Sequence, residues 1–201
     1  MCYFLKESSR RRDGGANQDK LFGQIHNLIN AQSSVLDVGC GTGRLAFALA
    51  HRCKSVVGID VSQRNIDRAN LTLHRRPENN ISFQHSTIHG IMNEGQTHYD
   101  YAVLTYVIHE VNEKERVDLL KQIARVADKI IIGDYRIPKT KGVWGLLNDV
   151  IEFIAGVEHY KNYKSFMANG GIYHLANRAG LNITDEARNQ SELNQIVVLS
   201  K

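Results

Sequence analysis

Residues 35–43, Val-Leu-Asp-Val-Gly-Cys-Gly-Thr-Gly, constrain this chain more than any other stretch. An apolar run interrupted only by Asp37 has the length of a buried strand, and Gly39, Gly41 and Gly43 follow at alternate positions. From Arg44 to His51 the spacing turns helical, with Leu45, Ala48 and Leu49 on the inward side. A strand that enters a helix through glycines opens a βα unit, because glycine lets backbone turn tightly and approach a ligand closely.

The same alternation continues down the chain. Ser55–Asp60 reads as a second strand, and Ser62 caps a helix that runs to about His74, with Pro77 beyond it. Ile81–His85, Tyr99–Thr105 and Asp128–Tyr135 supply three more strands, with an amphipathic helix over Asn112–Ala127. An earlier helix spans Asp19–Asn30, behind a polar arm at residues 1–18. Past the fifth strand, Gly142 to about Ala155 looks helical, and Ser165–Ala179 reads as a helix interrupted at Gly170-Gly171. Leu181–Ala187 and Asn194–Ser200 then pair as an antiparallel hairpin. This order predicts an α/β, Rossmann-like doubly wound sheet of seven strands, mostly parallel with an antiparallel C-terminal hairpin. At 201 residues the chain suits one domain, 1–201.

Composition removes other classes. No apolar run approaches the roughly 18 residues of a membrane span. Three cysteines without a C-x-x-C pair speak against a disulfide framework or zinc ribbon, and the N-terminus lacks a signal-peptide pattern, so a cytoplasmic location is expected. The net charge of +4 divides into +6 over residues 1–76 and −2 over the remainder. That skew is less dense than a nucleic-acid footprint, so a nucleic-acid partner is disfavoured.

The glycine turn narrows the ligand. Its spacing is G-x-G-x-G with Arg44 following, and no Gly-Lys-Ser/Thr phosphate loop is present. Asp37, two residues before the first glycine, would repel a pyrophosphate yet suits an ammonium, while the adjoining helix N-terminus suits a carboxylate. An amino-acid zwitterion meets both demands. Asp60, 23 residues on from Asp37, ends the second strand where an acid accepts hydrogen bonds from both ribose hydroxyls. Zwitterion and ribose together describe an adenosyl amino acid.

On these residues the sequence resembles the class I S-adenosylmethionine-dependent methyltransferases, from about Leu21 to Leu199. The resemblance implies S-adenosyl-L-methionine as cofactor. Asp37, Gly39, Cys40, Gly41 and Gly43 would hold the methionine half, with Thr105 at the end of strand four also at the cofactor. Asp60 would take the ribose, Val61 the adenine face, and Ser86-Thr87 the adenine edge, although an acid often stands there in the family. Tyr99–Val111 looks like the fourth-strand motif, whose following loop faces the methyl group.

Once other branches are excluded, the chain resembles the family's small-molecule branch, including quinone-type and natural-product methyltransferases, and its aromatic lid suits an apolar or aromatic acceptor. The prolines are Pro77 and Pro138, so neither the Pro-Pro motif of amino-methylating DNA enzymes nor a Pro-Cys nucleophile can exist. Asp134 is the one carboxylate offered where metal-dependent relatives cluster several, so no metal is expected. Residues 142–171, with Trp144, Phe153, His159, Tyr160, Tyr163 and Phe166, would build a substrate lid, or simply pack an extra helix. His109 ranks first as a proton acceptor, His159 second, and Tyr106 would line the methyl channel. Cys40 reads as a filler rather than a nucleophile, and Asp100 as a structural acceptor. Two further classes stay open: an RNA- or protein-modifying methyltransferase, from the basic N-terminal half, and a non-catalytic cofactor-binding protein. The oligomeric state is not legible.

Overall fold

A computed structural model describes residues 18–93, 98–136, 157–188 and 194–201. Most of the polar arm and residues 142–156 of the expected lid, Trp144 and Phe153 included, lie outside the described residues.

The strands are β1 (Ser34–Val38), β2 (Ser55–Asp60), β3 (Ile81–His85), β4 (Tyr99–Thr105), β5 (Ala127–Tyr135), β6 (Asn182–Arg188) and β7 (Asn194–Ser200). They form one seven-stranded sheet in the order β3-β2-β1-β4-β5-β7-β6. The pairs among β1 to β5 are parallel, whereas β7 runs antiparallel to both β5 and β6. The expected sheet is thus observed, with β7 inserted beside β5 and β6 at the edge.

Helices cover both faces. Helix α1 covers residues 18–28, followed by α2 (Arg44–Leu49), α3 (Gln63–Arg75), α4 (Ile88–Asn93), α5 (Arg116–Val126), α6 (Val157–Ala168) and α7 (Gly171–Ala179). Leu21, Phe22 and Ile25 of α1 pack with Leu45 and Leu49 of α2 against Val35, Val103 and Ile131. On the other face Leu120 and Ile123 of α5 and Ile172 and Leu175 of α7 meet Leu36, Leu104, Ile130 and Ile132. Adjacent strand residues therefore enter opposite layers, so the strands read as continuous apolar runs.

Three boundaries differ from the sequence reading. Asn112 accepts the Lys114 amide through its side chain (3.1 Å), forming a turn that delays α5 to Arg116. The interruption expected at Gly170-Gly171 is observed, both glycines having positive φ, +82° and +55°, but α6 before it starts at Val157 rather than at Ser165. Helix α4, which the sequence reading did not contain, is opened by the Thr87 hydroxyl accepting the Gly90 amide at 3.2 Å. Asp100 is structural as expected, since its Oδ2 accepts from the Ser34 amide (2.7 Å) and hydroxyl (2.8 Å). Those two donors hold its carboxyl below the usual carboxylate range.

Gly43 caps α2 at φ +83°, and a Cβ there would come within 2.4 Å of the Phe83 ring. Left-handed strain and overpacking act together at this position. Gly43→Ala should therefore lower unfolding free energy by about 2–4 kcal/mol, measured by urea denaturation; a loss within error would mean that Phe83 yields freely.

Candidate active site

Strand order reverses beside β1: β2 leaves on one side and β4 lies on the other. Loops from the ends of β1 and β4 go to opposite faces at such a point, which opens a crevice beyond the strand ends. Gly39 lines it at φ +72°, and a Cβ there would strike Val107 of the loop after β4, 2.5 Å away. The glycine turn and that loop thus pack in direct contact. Gly41, also at positive φ, has nothing within 4 Å of the position its Cβ would take, so that side of the turn is open.

Asp37 is fully buried on β1, between Gly58 of β2 and Val103 of β4. Neither of its carboxylate oxygens has a hydrogen-bond partner among the described residues. Burial, and then the nearby Asp60 carboxylate, raise its pKa to about 7. A buried acid without donors is costly unless something supplies them.

Asp60 ends β2 with 9% exposure. Its Oδ2 accepts from the Gly41 amide at 2.8 Å and its Oδ1 from the Ser62 amide at 2.7 Å, with Asn65 Nδ2 at 3.4 Å. The carboxylate braces the glycine turn from below. Oδ2, with one donor, keeps a second lone pair, whereas Oδ1 already faces two donors. Val61, 73% exposed, is an apolar side chain left bare beside it. Ser86 is half-buried, and the exposed Thr87 already uses its hydroxyl to cap α4. Cys40 is buried, and burial together with Asp37 and Asp60 pushes its thiol well up, away from nucleophilic behaviour.

A second group gathers at the ends of β4 and β5. Thr105 is half-buried at the end of β4, and Tyr106 follows at φ +57°, a conformation rare for a bulky residue. The Tyr106 hydroxyl accepts from Asn194 Nδ2 of β7 at 2.6 Å, and burial, then Asp134, raise its pKa. His109 is buried, and its Nδ1 stands 2.6 Å from Oδ1 of the fully buried Asp134 at the end of β5. Asp134 Oδ1 also accepts the Tyr135 amide at 2.7 Å. The His109 ring lies edge-on to Tyr135, with centroids 4.9 Å apart, and near Tyr163 at 6.3 Å. His159 on α6 does not join this pair. Its Nδ1 is 3.8 Å from Glu110 Oε1, which is itself 3.9 Å from His109 Nε2.

Asp37, the glycines and Asp60 therefore come together as expected, and Tyr106 and His109 form a neighbouring group. The Asp134 contact to His109, the Tyr135 ring beside it and the Asn194 contact to Tyr106 are additions, because each depends on strand order rather than on nearby sequence. Among the described residues, no three or more His, Cys, Asp or Glu side chains are placed to hold a metal ion, and no helix is long and apolar enough to cross a membrane. A separate cleft of about 460 Å³ between α1, α2 and α3, lined by Arg44, Arg76, Phe22 and Phe47, shares none of the site residues above.

The family described as a methyltransferase domain matches residues 35–129. A ubiquinone biosynthesis O-methyltransferase of Rickettsia bellii is 31% identical over 155 residues, 75% of this chain and 62% of that protein. The chain thus spans less than two thirds of the length of that relative. The N-methyltransferase NodS from Bradyrhizobium japonicum WM9 has a similar structure at TM-score 0.66 and 16% identity, covering 95% of this chain and 98% of its own. The mitomycin 7-O-methyltransferase MmcR gives TM-score 0.70 at 16% identity, covering 98% and 57%. At these identities the structural likenesses speak for the fold.

The Asp37 carboxyl sets a pH dependence. It titrates near 7 in the folded, ligand-free protein, against about 4 in an unfolded chain. Between those values the folded state keeps a proton that the unfolded chain has released, so stability falls as pH rises through that window and levels off above it. Asp37→Asn should therefore gain on wild type, by of order 1–4 kcal/mol, between pH 4 and 8 in denaturant unfolding. A pH-independent difference would show that Asp37 holds no such proton.

Proposed function

The chain belongs to the class I S-adenosylmethionine-dependent methyltransferases, and from that premise we propose that it methylates a small-molecule acceptor bearing a hydroxyl, without a metal ion. The observation that carries this reading is Asp37, a buried carboxylate lacking donors beside a turn whose Gly41 face is open. An ammonium is the group that completes it.

When bound, S-adenosylmethionine supplies a methyl group made electrophilic by its sulfonium. Asp37 and the amides of the glycine turn fit the ammonium and carboxylate of its amino-acid end. Asp60 retains acceptor capacity for the ribose hydroxyls, and Val61 offers an apolar surface to the adenine. Ser86 would serve the adenine edge better than Thr87, whose hydroxyl is engaged as a cap. Thr105 would stand where β4 meets the cofactor. Asp134, the carboxylate at the end of β5, is already engaged by His109 and the Tyr135 amide.

The acceptor's side of the reaction falls to the second group. With Asp134 at Nδ1 orienting the ring, His109 would take the acceptor's hydroxyl proton through Nε2, the nitrogen that Glu110 Oε1 approaches to 3.9 Å. Tyr106 and Tyr135, with ring centroids 6.0 Å apart, would wall a planar acceptor. His159 would act on His109 only through Glu110. Alignment of the two reactants is worth roughly 7–11 kcal/mol on its own, so positioning is the chain's principal task. The related protein named for ubiquinone biosynthesis O-methylation supports oxygen as the attacking atom. An RNA acceptor, the second reading, is favoured by the basic balance of residues 1–76 and by the Arg44 and Arg76 cleft.

Two measurements test the proposal. Charged hydrogen bonds contribute about 1.5–3 kcal/mol, so Asp60→Ala should weaken S-adenosylmethionine binding by roughly one to two decades in calorimetry; unchanged affinity refutes the ribose role. Incubation with methyl-labelled cofactor and a phenolic metabolite extract should label a small product, and label found only in RNA or protein would overturn the acceptor class.

A further inference from the structure

Arg116 opens α5, and its side chain is 1% exposed. Among the described residues it forms no ion pair within 4 Å. Its guanidinium instead serves backbone. Nε donates to the Val111 carbonyl at 2.9 Å, and Nη2 donates to the carbonyls of His109 at 3.3 Å and Asn162 at 2.6 Å. The group also lies over the Phe166 ring, 5.6 Å from its centroid. Asn162 completes the arrangement by donating from Nδ2 to the Glu110 carbonyl at 2.8 Å.

Three consecutive carbonyls after β4, those of residues 109, 110 and 111, are thereby each held by a side chain, and both side chains converge on Asn162 of α6. His159, Asn162, Tyr163 and Phe166 stand at i, i+3, i+4 and i+7 on that helix, so a single face meets the loop. A buried guanidinium is disfavoured by lost hydration; here burial lowers its pKa while Glu113 and Asp134 partly offset that. An apolar side chain of similar volume would fill the space without that penalty. What only the planar fork supplies is simultaneous grip on two separate backbone segments.

We propose that Arg116, with Asn162, is a positioning residue for His109. It fixes the loop backbone from α5 and α6 while Asp134 fixes the ring from β5. The proposal rests on the reading of His109 as proton acceptor. The groups that face His109 are Asp134 and Tyr135 from β5, Glu110 from its own loop and Tyr163 from α6.

The test uses the full chain labelled with 15N-histidine, in wild type, Arg116→Lys and Asn162→Ala. Arg116→Lys keeps the charge and loses the fork; Asn162→Ala keeps the fork and frees the Glu110 carbonyl. Catechol with S-adenosylmethionine serves as the probe reaction. Both variants should bind cofactor within twofold of wild type, while the His109 titration midpoint moves by at least half a pH unit and kcat on catechol falls at least tenfold. A folded Arg116→Lys with wild-type His109 titration and turnover overturns the proposal; if that variant fails to fold, the same result from Asn162→Ala does so. Should wild type leave catechol unmethylated, the acceptor reading is weakened, and the His109 titration in the variants still decides the clamp.

Discussion

A carboxylate enclosed between three strands, with no donor to either oxygen among the described residues, is the constraint around which this molecule is arranged. Asp37 sits where β2, β1 and β4 run side by side, and Asp60 adds a like charge nearby. Taken alone, both features work against folding. They are tolerable because the carboxyl can hold a proton near neutral pH and because the crevice beside it can admit a cation. Stability and ligand binding thus pull on one side chain in opposite directions. An asparagine would ease the fold and forfeit the ammonium, a trade that fits a site shaped for its ligand.

The glycine turn converts that constraint into a geometry. Positive φ at Gly39, Gly41 and Gly43 winds the backbone around Asp37, and Asp60 ties the turn through the Gly41 amide. Where Gly39 meets Val107, the turn touches the loop that leads to His109. The turn beside Asp37 and the loop that carries His109 are consequently packed against each other at this point. A side chain at residue 39 would push the β4 loop as well as strain the turn.

Legibility in the sequence followed how local each cause was. Asp37 and the glycines share one stretch, residues 37–43, and Asp60 is marked by the end of its own strand, so their chemistry could be read without knowing which strands are neighbours. The alternation of strands and helices gave the sheet for the same reason, since each element carries its own periodicity. His109 and Asp134 are 25 residues apart and meet only because β4 and β5 are parallel neighbours. Asn194 is more remote still from Tyr106, and no periodicity marks it. Helix α4 was missed because its start depends on one hydroxyl, that of Thr87, which the sequence reading assigned to adenine.

The antiparallel hairpin has a role beyond closing the sheet edge. Inserting β7 beside β5 places Asn194 opposite Tyr135, at the same end of the sheet as Tyr106. From there its amide reaches the Tyr106 hydroxyl across β5 and restrains a ring whose backbone is already in an unfavourable conformation. Backbone strain of this kind costs on the order of 1–3 kcal/mol and persists only when surrounding contacts enforce it. Here the enforcement comes from the Gly133 carbonyl, which accepts the Tyr106 amide at 2.9 Å, and from Asn194 at the far end of the side chain. A β7 added in parallel would run the other way and bring the opposite end of the strand to this corner, leaving the phenol unheld. The reversal of the last strand is therefore part of how the Tyr106 ring is held in place.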